Sequence, residues 1–213
     1  MQLTSFSGPS AGNPRWSPDG RRLGFIVHAN GSAQIYAIDA GGGVPMLIQT
    51  DSSAEAPLNW SRDGNWIYFV SRRSGQAQVW KASTGDGAAV QVTKNGGFQA
   101  RESPDGKFVY YTKAPRQGLW QVPVGGGEEH RMMDGFQGTG ELVDGGLYFI
   151  TRTAPPARPT LQFFSFATAA VKIIAEIDTR AVGAFAVSPD QKTLVYEQTE
   201  TRGTDLMLVD NFR

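Results

Sequence analysis

The stretch Trp16-Ser17-Pro18-Asp19-Gly20 decides the fold, because echoes of it recur along the whole chain. The recurring turn is marked by five aspartates about 40 to 45 residues apart, namely Asp19, Asp63, Asp105, Asp144 and Asp190. Each turn is followed by a short apolar run without clean alternation, as in Leu23 to Val27. Such runs are typical of strands that are buried on both faces. Strand-rich repeats of this length predict a β-propeller, an all-β fold built from four-stranded blades.

A second and a third run complete each repeat. The second run carries bulky residues in apparent register, which are Tyr36, Trp80, Trp120, Phe164 and Met207. A large side chain at a fixed position predicts a recurring packing site between neighbouring blades. Glycine-rich turns such as Gly41 to Gly43 and Gly125 to Gly127 then lead into an outer strand, since glycine permits the backbone of tight hairpins.

The fifth repeat lacks this outer strand. Met1-Gln2-Leu3-Thr4 is similar to the outer-strand segment Val90-Gln91-Val92-Thr93. We therefore expect residues 1–4 to pair beside residues 205–209, which closes a ring of five blades and protects two strand edges. The alternative is an open arc of a larger propeller. Either way, the repeats run end to end, which predicts a single domain over residues 1–213.

Composition narrows the functional classes. The 213 residues include 20 basic and 20 acidic side chains, so the balanced charge argues against a nucleic-acid partner. There is no cysteine, which excludes disulfide and thiolate chemistry. No apolar stretch is long enough to span a membrane, and the N-terminus shows no signal peptide pattern. No cofactor and no oligomeric state is predicted.

The repeat resembles that of the TolB-like β-propeller family. The resemblance rests on Pro14 to Phe25 with Gln34 to Asp39, and on the echoes Leu58 to Gly64 and Glu102 to Lys107. The chain as a whole also resembles the C-terminal propeller of multidomain regulators of soil bacteria. This resemblance implies a non-enzymatic, bacterial module for binding or sensing, and it favours a periplasmic location. It carries over no binding residues, because the matching positions belong to the repeat scaffold.

The most conspicuous residues are better explained by the scaffold than by chemistry. An Asp-Gly pair forms a hairpin turn, with the aspartate bonding its own backbone, and each turn offers too few oxygen ligands for a metal. The glycine triplets precede no helix and no Lys-Ser/Thr pair, so they do not predict a phosphate site. His28 and His130 lie in different repeats and predict surface positions rather than a metal site.

Two channel positions depart from the repeat. Trp16 and Trp60 are replaced by Glu102 and Glu141 in the next two repeats. Paired carboxylates perform acid–base chemistry in glycosidases, and this raises a carbohydrate-active enzyme as an alternative function. The simpler interpretation is structural pairing with neighbouring arginines, because a buried carboxylate needs a partner.

The loops between the second and third strands are basic in four of the five repeats. They carry the candidate binding residues Arg72, Arg73, Lys113, Arg116, Arg152, Arg158 and Arg202. In a propeller these loops share one rim with the connections between blades. The pattern therefore favours a protein partner or an anionic small ligand at this rim, with ordinary solvated charge as the simpler alternative. The predicted function is a protein- or ligand-binding scaffold, with the sensor domain of a transcriptional regulator or kinase as a second hypothesis.

Overall fold

The computed structural model describes residues 2–6, 9–29, 31–51, 54–113, 118–136, 140–151, 158–177, 182–200 and 203–210. In these ranges the chain forms nineteen β-strands and no helix, which confirms the all-β prediction. The strands make five antiparallel sheets, which we call blades 1 to 5. Accordingly, none of the described residues belongs to a helix long and apolar enough to cross a membrane.

The blades follow the repeats. Blade 1 contains β1 (Ser10–Trp16), β2 (Arg22–Ala29), β3 (Ser32–Asp39) and β4 (Met46–Asp51). Blade 2 contains β5 (Glu55–Trp60), β6 (Trp66–Ser71), β7 (Gln78–Ser83) and β8 (Ala89–Gln91). Blade 3 contains β9 (Phe98–Glu102), β10 (Phe108–Thr112), β11 (Leu119–Pro123) and β12 (His130–Met133). Blade 4 contains β13 (Gly140–Val143), β14 (Gly146–Ile150), β15 (Thr160–Ser165) and β16 (Val171–Glu176). Blade 5 contains β17 (Val182–Val187), β18 (Thr193–Glu200) and β19 (Gly203–Asp210).

The chain divides into two compact units. The first unit, Met1–Met132, holds blades 1 to 3, and the second, Met133–Arg213, holds blades 4 and 5. Each unit has its own buried apolar clusters. The prediction of one domain over residues 1–213 is not tested by this division and stays a prediction.

The second strands are buried on both faces, as the apolar runs predicted. In β6, Ile67 and Phe69 pack into the cluster shared with blade 1, while Tyr68 packs into the cluster shared with blade 3. Because successive side chains of a strand point to opposite faces, a strand between two blades must be apolar at nearly every position. The second strands therefore lack alternating apolar and polar residues because blades stack on both of their faces within a unit.

The repeated turn is a hydrogen-bonded unit of serine and aspartate. The Asp19 carboxylate accepts from the Ser17 hydroxyl at 2.6 Å and from the Arg21 backbone N–H at 3.0 Å. The Ser17 hydroxyl oxygen in turn accepts from the Arg22 N–H at 2.9 Å. The same serine–aspartate bond recurs in blades 2, 3 and 5, which confirms the structural interpretation of the aspartates. These bonds lower the pKa of Asp19 below its usual value, with the Ser17 hydroxyl as the main cause.

Blade 4 departs from the predicted register. In blades 2 and 3 the bulky residue pairs with the aromatic of the second strand, as in Phe69 with Trp80. In blade 4 the hairpin Asp144-Gly145 is shorter, because Val143 already pairs with Gly146. Across the next connection Phe164 pairs with Leu147, and the aromatic Phe149 pairs with Gln162, so Gln162 and not Phe164 holds the position of Trp80. The bulky residue of this blade is thus out of step with the others.

The expectation that residues 1–4 form a strand is not met for the described residues 2–4. Residues 2–6 lie in no strand, and blade 5 has three described strands. Leu3 and Phe6 pack instead against the apolar cluster of Phe25, Val27 and Ile38 in blade 1. An apolar side chain gains more from this burial than from an exposed strand position. The closed ring of five blades, and its alternative of an open arc, both stay predictions.

Candidate binding rim

In the first unit, the second loop of blade 2 meets the connection that leads to blade 3. The Gly97 N–H donates to the carbonyl of Ala77 at 3.0 Å, and the Gln78 side chain donates to the carbonyl of Lys94 at 3.0 Å. Gln76 donates to the same carbonyl at 3.3 Å. We call residues 71–77 and 92–97 the loop rim. Its two segments lie together as the propeller geometry predicted.

A buried polar network fixes the backbone of this rim. The Thr93 hydroxyl donates to the Gln78 amide oxygen at 2.7 Å and accepts from the Val79 N–H at 2.9 Å. The same Gln78 oxygen accepts from the Gly96 N–H at 3.0 Å. Thr93 is fully buried and Gln78 nearly so. Satisfied buried networks rigidify the elements that they join, so the rim is held in one conformation.

Arg73 is neutralised inside the protein. Its guanidinium lies 2.6 Å from the carboxylate of Asp51, whose side chain is only 3% exposed. The guanidinium also lies over the rings of Trp80 and Phe69, at 4.8 Å and 5.5 Å from their centres. A buried carboxylate requires such a partner. The structure therefore gives Arg73 a role in joining blades 1 and 2, while its predicted binding role stays untested.

Lys113 is held in the same way at the junction of blades 2 and 3. Its ammonium lies 2.7 Å from the Glu129 carboxylate and 3.5 Å from the centre of the Trp120 ring. The other Glu129 oxygen accepts from the backbone N–H groups of Lys94 and Asn95 at 2.7 Å and 3.3 Å. The Asn95 side chain adds a bond of 3.2 Å. Glu129 is thus bound by four donors from two blades.

These donors lower the pKa of the Glu129 carboxyl. Burial alone would raise it, but the hydrogen bonds from Lys113, Lys94 and Asn95 outweigh burial and bring the pKa to about 2. Glu129 therefore stays ionised throughout the ordinary pH range. Burial and the neighbouring Glu129 charge raise the pKa of Tyr111 far above its usual value.

The remaining predicted cations are distributed differently. Arg72 is exposed on the loop rim, and Arg158 is exposed in the second unit. Arg116, Arg152 and Arg202 lie outside the described residues. The structure thus brings Arg72, Arg73 and Lys113 into the first unit, but two of the three are engaged in ion pairs with buried carboxylates.

The carboxylate of Glu102 accepts hydrogen bonds from blade 2. Its two oxygens accept from the Tyr68 hydroxyl at 2.8 Å and from the Arg62 backbone N–H at 3.2 Å. Burial first, and then this bond to Glu102, raises the pKa of Tyr68 far above its usual value. Glu141 lies in β13 of the second unit and is partly buried. It pairs with Tyr148, whereas Leu142 pairs with Leu147 as Glu102 pairs with Val109, so the prediction that Glu141 holds the repeat position of Glu102 is wrong. The hydrogen bonds favour a structural role for Glu102, with a tyrosine hydroxyl and a backbone N–H as its donors in place of the predicted arginine side chains. The enzyme alternative stays a prediction.

In the part of the chain that the structure describes, no three His, Asp or Glu side chains come close enough to hold a metal ion. His28 and His130 are both exposed, in β2 and β12, as the sequence predicted.

Sequence reasoning missed the residues that organise the rim. Glu129 follows a glycine turn in an irregular segment, and its donors Lys94 and Asn95 lie 35 and 34 residues earlier. Asp51 and Gln78 carry no local pattern either. A signal existed only in the tryptophans Trp80 and Trp120, because an aromatic ring beside a basic loop favours a cation–π contact.

Five antiparallel sheets, four of them with four strands among the described residues, define a β-propeller of the repeat type, and four of the five carry the serine–aspartate turn. The chain belongs to the TolB beta propeller domain family, whose sequence profile matches residues 1–140. No curated protein matches the chain significantly.

Solved structures show the same fold. TolB from Acinetobacter baumannii is similar with a TM-score of 0.77 and 18% identity, over 96% of this chain and 52% of that one. The putative TolB from Agrobacterium tumefaciens has a TM-score of 0.74 and 18% identity, over 97% and 79%. An oligogalacturonate lyase from Vibrio parahaemolyticus has a TM-score of 0.77 and 12% identity, over 99% and 65%. The chain spans about half the length of the Acinetobacter TolB. At such identities the likeness establishes the fold alone, and the fold is shared with an enzyme.

Proposed function

We propose that the chain is a non-enzymatic scaffold that binds an acidic segment of a protein partner at the loop rim of the first unit. The observation that carries this proposal is the charge of the rim. Residues 71–77 and 92–97 contain two arginines and one lysine but no aspartate or glutamate. The carboxylates of Asp51 and Glu129, which contact the rim residues Arg73, Lys94 and Asn95, are buried in ion pairs with Arg73 and Lys113.

The exposed charge at the rim is therefore positive. Arg72 and Lys94 are both exposed, as are Gln76 and Asn95 in the same two segments. Loops presented on a rigid scaffold are common binding elements, because little entropy is lost when the partner docks. The buried network of Gln78 and Thr93 supplies this rigidity. An acidic peptide segment is the partner that such a surface attracts.

The test uses a fluorescently labelled octapeptide of glutamate and measures its anisotropy with the full chain. The double variant Arg72→Glu with Lys94→Glu is expected to weaken binding at least about tenfold, because two attractive charges become repulsive. Binding should also weaken as salt screens the charges.

The matched control makes the same charge change at the Asp-Gly turns. Arg21 and Lys107 are also exposed cations of the first unit, but they lie in the turns of blades 1 and 3. The variant Arg21→Glu with Lys107→Glu should bind the peptide much as the native chain does, apart from a small effect of net charge. Equal weakening in both variants, or no binding by the native chain, would overturn the proposal.

A further inference from the structure

The carboxylate of Glu129 sits where a ligand carboxylate would sit. It fills a cradle formed by the N–H groups of Lys94 and Asn95, the Asn95 amide and the Lys113 ammonium. Successive backbone N–H groups that point to one oxygen form an anion-binding concavity. The lysine and the side-chain amide complete a set of donors to both carboxylate oxygens.

The Lys94 backbone and the Lys113 ammonium are held by contacts that do not involve Glu129. The backbone at Lys94 is fixed by Gln78, which donates to its carbonyl at 3.0 Å. The Lys113 ammonium lies on the face of the Trp120 ring. Since Gln78 and Trp120 remain when the carboxylate leaves, the Lys94 backbone and the Lys113 ammonium keep these contacts without Glu129.

Glu129 itself is attached through a pliable segment. Gly125, Gly126 and Gly127 precede it, and the last two have positive φ angles of 85° and 144°. Residues 126–129 lie in no strand, and residues 125–128 are exposed. A glycine segment can change its backbone conformation at low cost, so the carboxylate can leave while the donors stay.

We propose that this cradle is a carboxylate-binding site which Glu129 occupies as an internal ligand, and which takes an aspartate or glutamate side chain of the partner when Glu129 withdraws. The inference rests on the proposed function, because it identifies the position on the rim that recognises the acidic segment. Glu129 then competes with the partner's carboxylate for the cradle, and it thereby lowers the affinity of the rim for acidic segments.

Acetate is the probe for the empty cradle. In the variant Glu129→Ala, sodium acetate should raise the melting temperature in a saturable way, by about 3–5 °C more than sodium chloride at the same concentration, because a ligand that binds only the folded state stabilises it. The native chain should show no such difference, since its cradle is filled. The double variant Glu129→Ala with Lys113→Met should lose the acetate effect.

If Glu129→Ala does not fold in chloride, its refolding yield replaces the melting temperature as the readout. Acetate should then raise the yield, and Lys113→Met should abolish the rise. An acetate effect that is equal in the native chain, the single variant and the double variant overturns the cradle. If the native chain does not bind the glutamate peptide but acetate still stabilises Glu129→Ala, only the rim proposal is overturned. The two failures are therefore distinguishable.

Discussion

The indole N–H of Trp60 in blade 2 donates a hydrogen bond of 2.9 Å to the backbone carbonyl of Arg15 in blade 1. The ring lies against Gly24, where an added Cβ would come within 3.0 Å of the indole nitrogen. The Arg22 guanidinium covers the ring at 5.0 Å and donates to the Gly64 carbonyl at 2.9 Å. Trp60 is 8% exposed as a result. One aromatic residue thus joins two blades by packing, hydrogen bonding and a cation–π contact.

Trp60→Ala should destabilise the chain by about 3–5 kcal/mol, because it leaves a cavity and an unpaired carbonyl between two blades. Trp16 occupies the same position of the repeat but is 58% exposed. Trp16→Ala is therefore the matched control and should cost less than about 1 kcal/mol. Urea denaturation of both variants measures the difference. Equal losses would mean that the blade junction at Trp60 contributes little.

A glycine at position 191 should stabilise the turn of blade 5. Gln191 has a φ of 57° at the position where blades 1 to 3 carry Gly20, Gly64 and Gly106. Because an L-residue is strained in this region, Gln191→Gly should raise the free energy of unfolding by about 0.5–1 kcal/mol. Gly20→Gln is the reverse change at an open position and should lower it by a similar amount. Thermal denaturation checks both signs, and a stabilising Gly20→Gln would contradict the argument.

The neighbours Arg72 and Arg73 should contribute very unequally to the free energy of unfolding. Arg73→Ala leaves the Asp51 carboxylate buried without its ion pair, so we expect a loss of about 3 kcal/mol in unfolding free energy. Arg72→Ala removes an exposed side chain and should cost about 1 kcal/mol or less. Adding Asp51→Asn to Arg73→Ala should restore part of the loss of unfolding free energy, since the buried negative charge disappears. Chemical denaturation that ranks the two arginines equally would refute the assignment.

Lowering the pH should remove the contribution of the Glu129 charge to the free energy of unfolding. Its pKa is depressed to about 2 in the folded state, so the stabilisation is complete above the unfolded value near 4.5. It is lost as the pH falls from about 4.5 towards 2, where the carboxylate is protonated. Glu129→Gln cannot lose a charge, so the stability gap between native chain and variant should narrow across that window. Unfolding free energies measured at pH 6, 4 and 3 test this. A gap that is constant with pH would show that the Glu129 charge does not contribute.

The sequence by itself determined the repeat, the strands and the turns. The Ser-x-Asp-Gly segments form closed local hydrogen bonds, as between Ser17 and Asp19, and a local pattern suffices to predict them. The apolar runs likewise reported strands buried on both faces. Even here, the predicted register failed in blade 4, where Gln162 and not Phe164 pairs with the aromatic Phe149 of the second strand, because this pairing is set between β14 and β15 and not by the distance from the Asp144 turn.

Only the tertiary structure decided which charges are available. The sequence presented Arg72, Arg73 and Lys113 as equivalent basic residues of a rim. Folding buries Asp51 beside Arg73 and Glu129 beside Lys113, across distances in sequence that no local pattern reports. A carboxylate removed from water must find its cation, and which cation it finds depends on how the blades stack. In the folded chain, Arg73 and Lys113 therefore form ion pairs with buried carboxylates. The cradle around Glu129 is a candidate site that the sequence did not show.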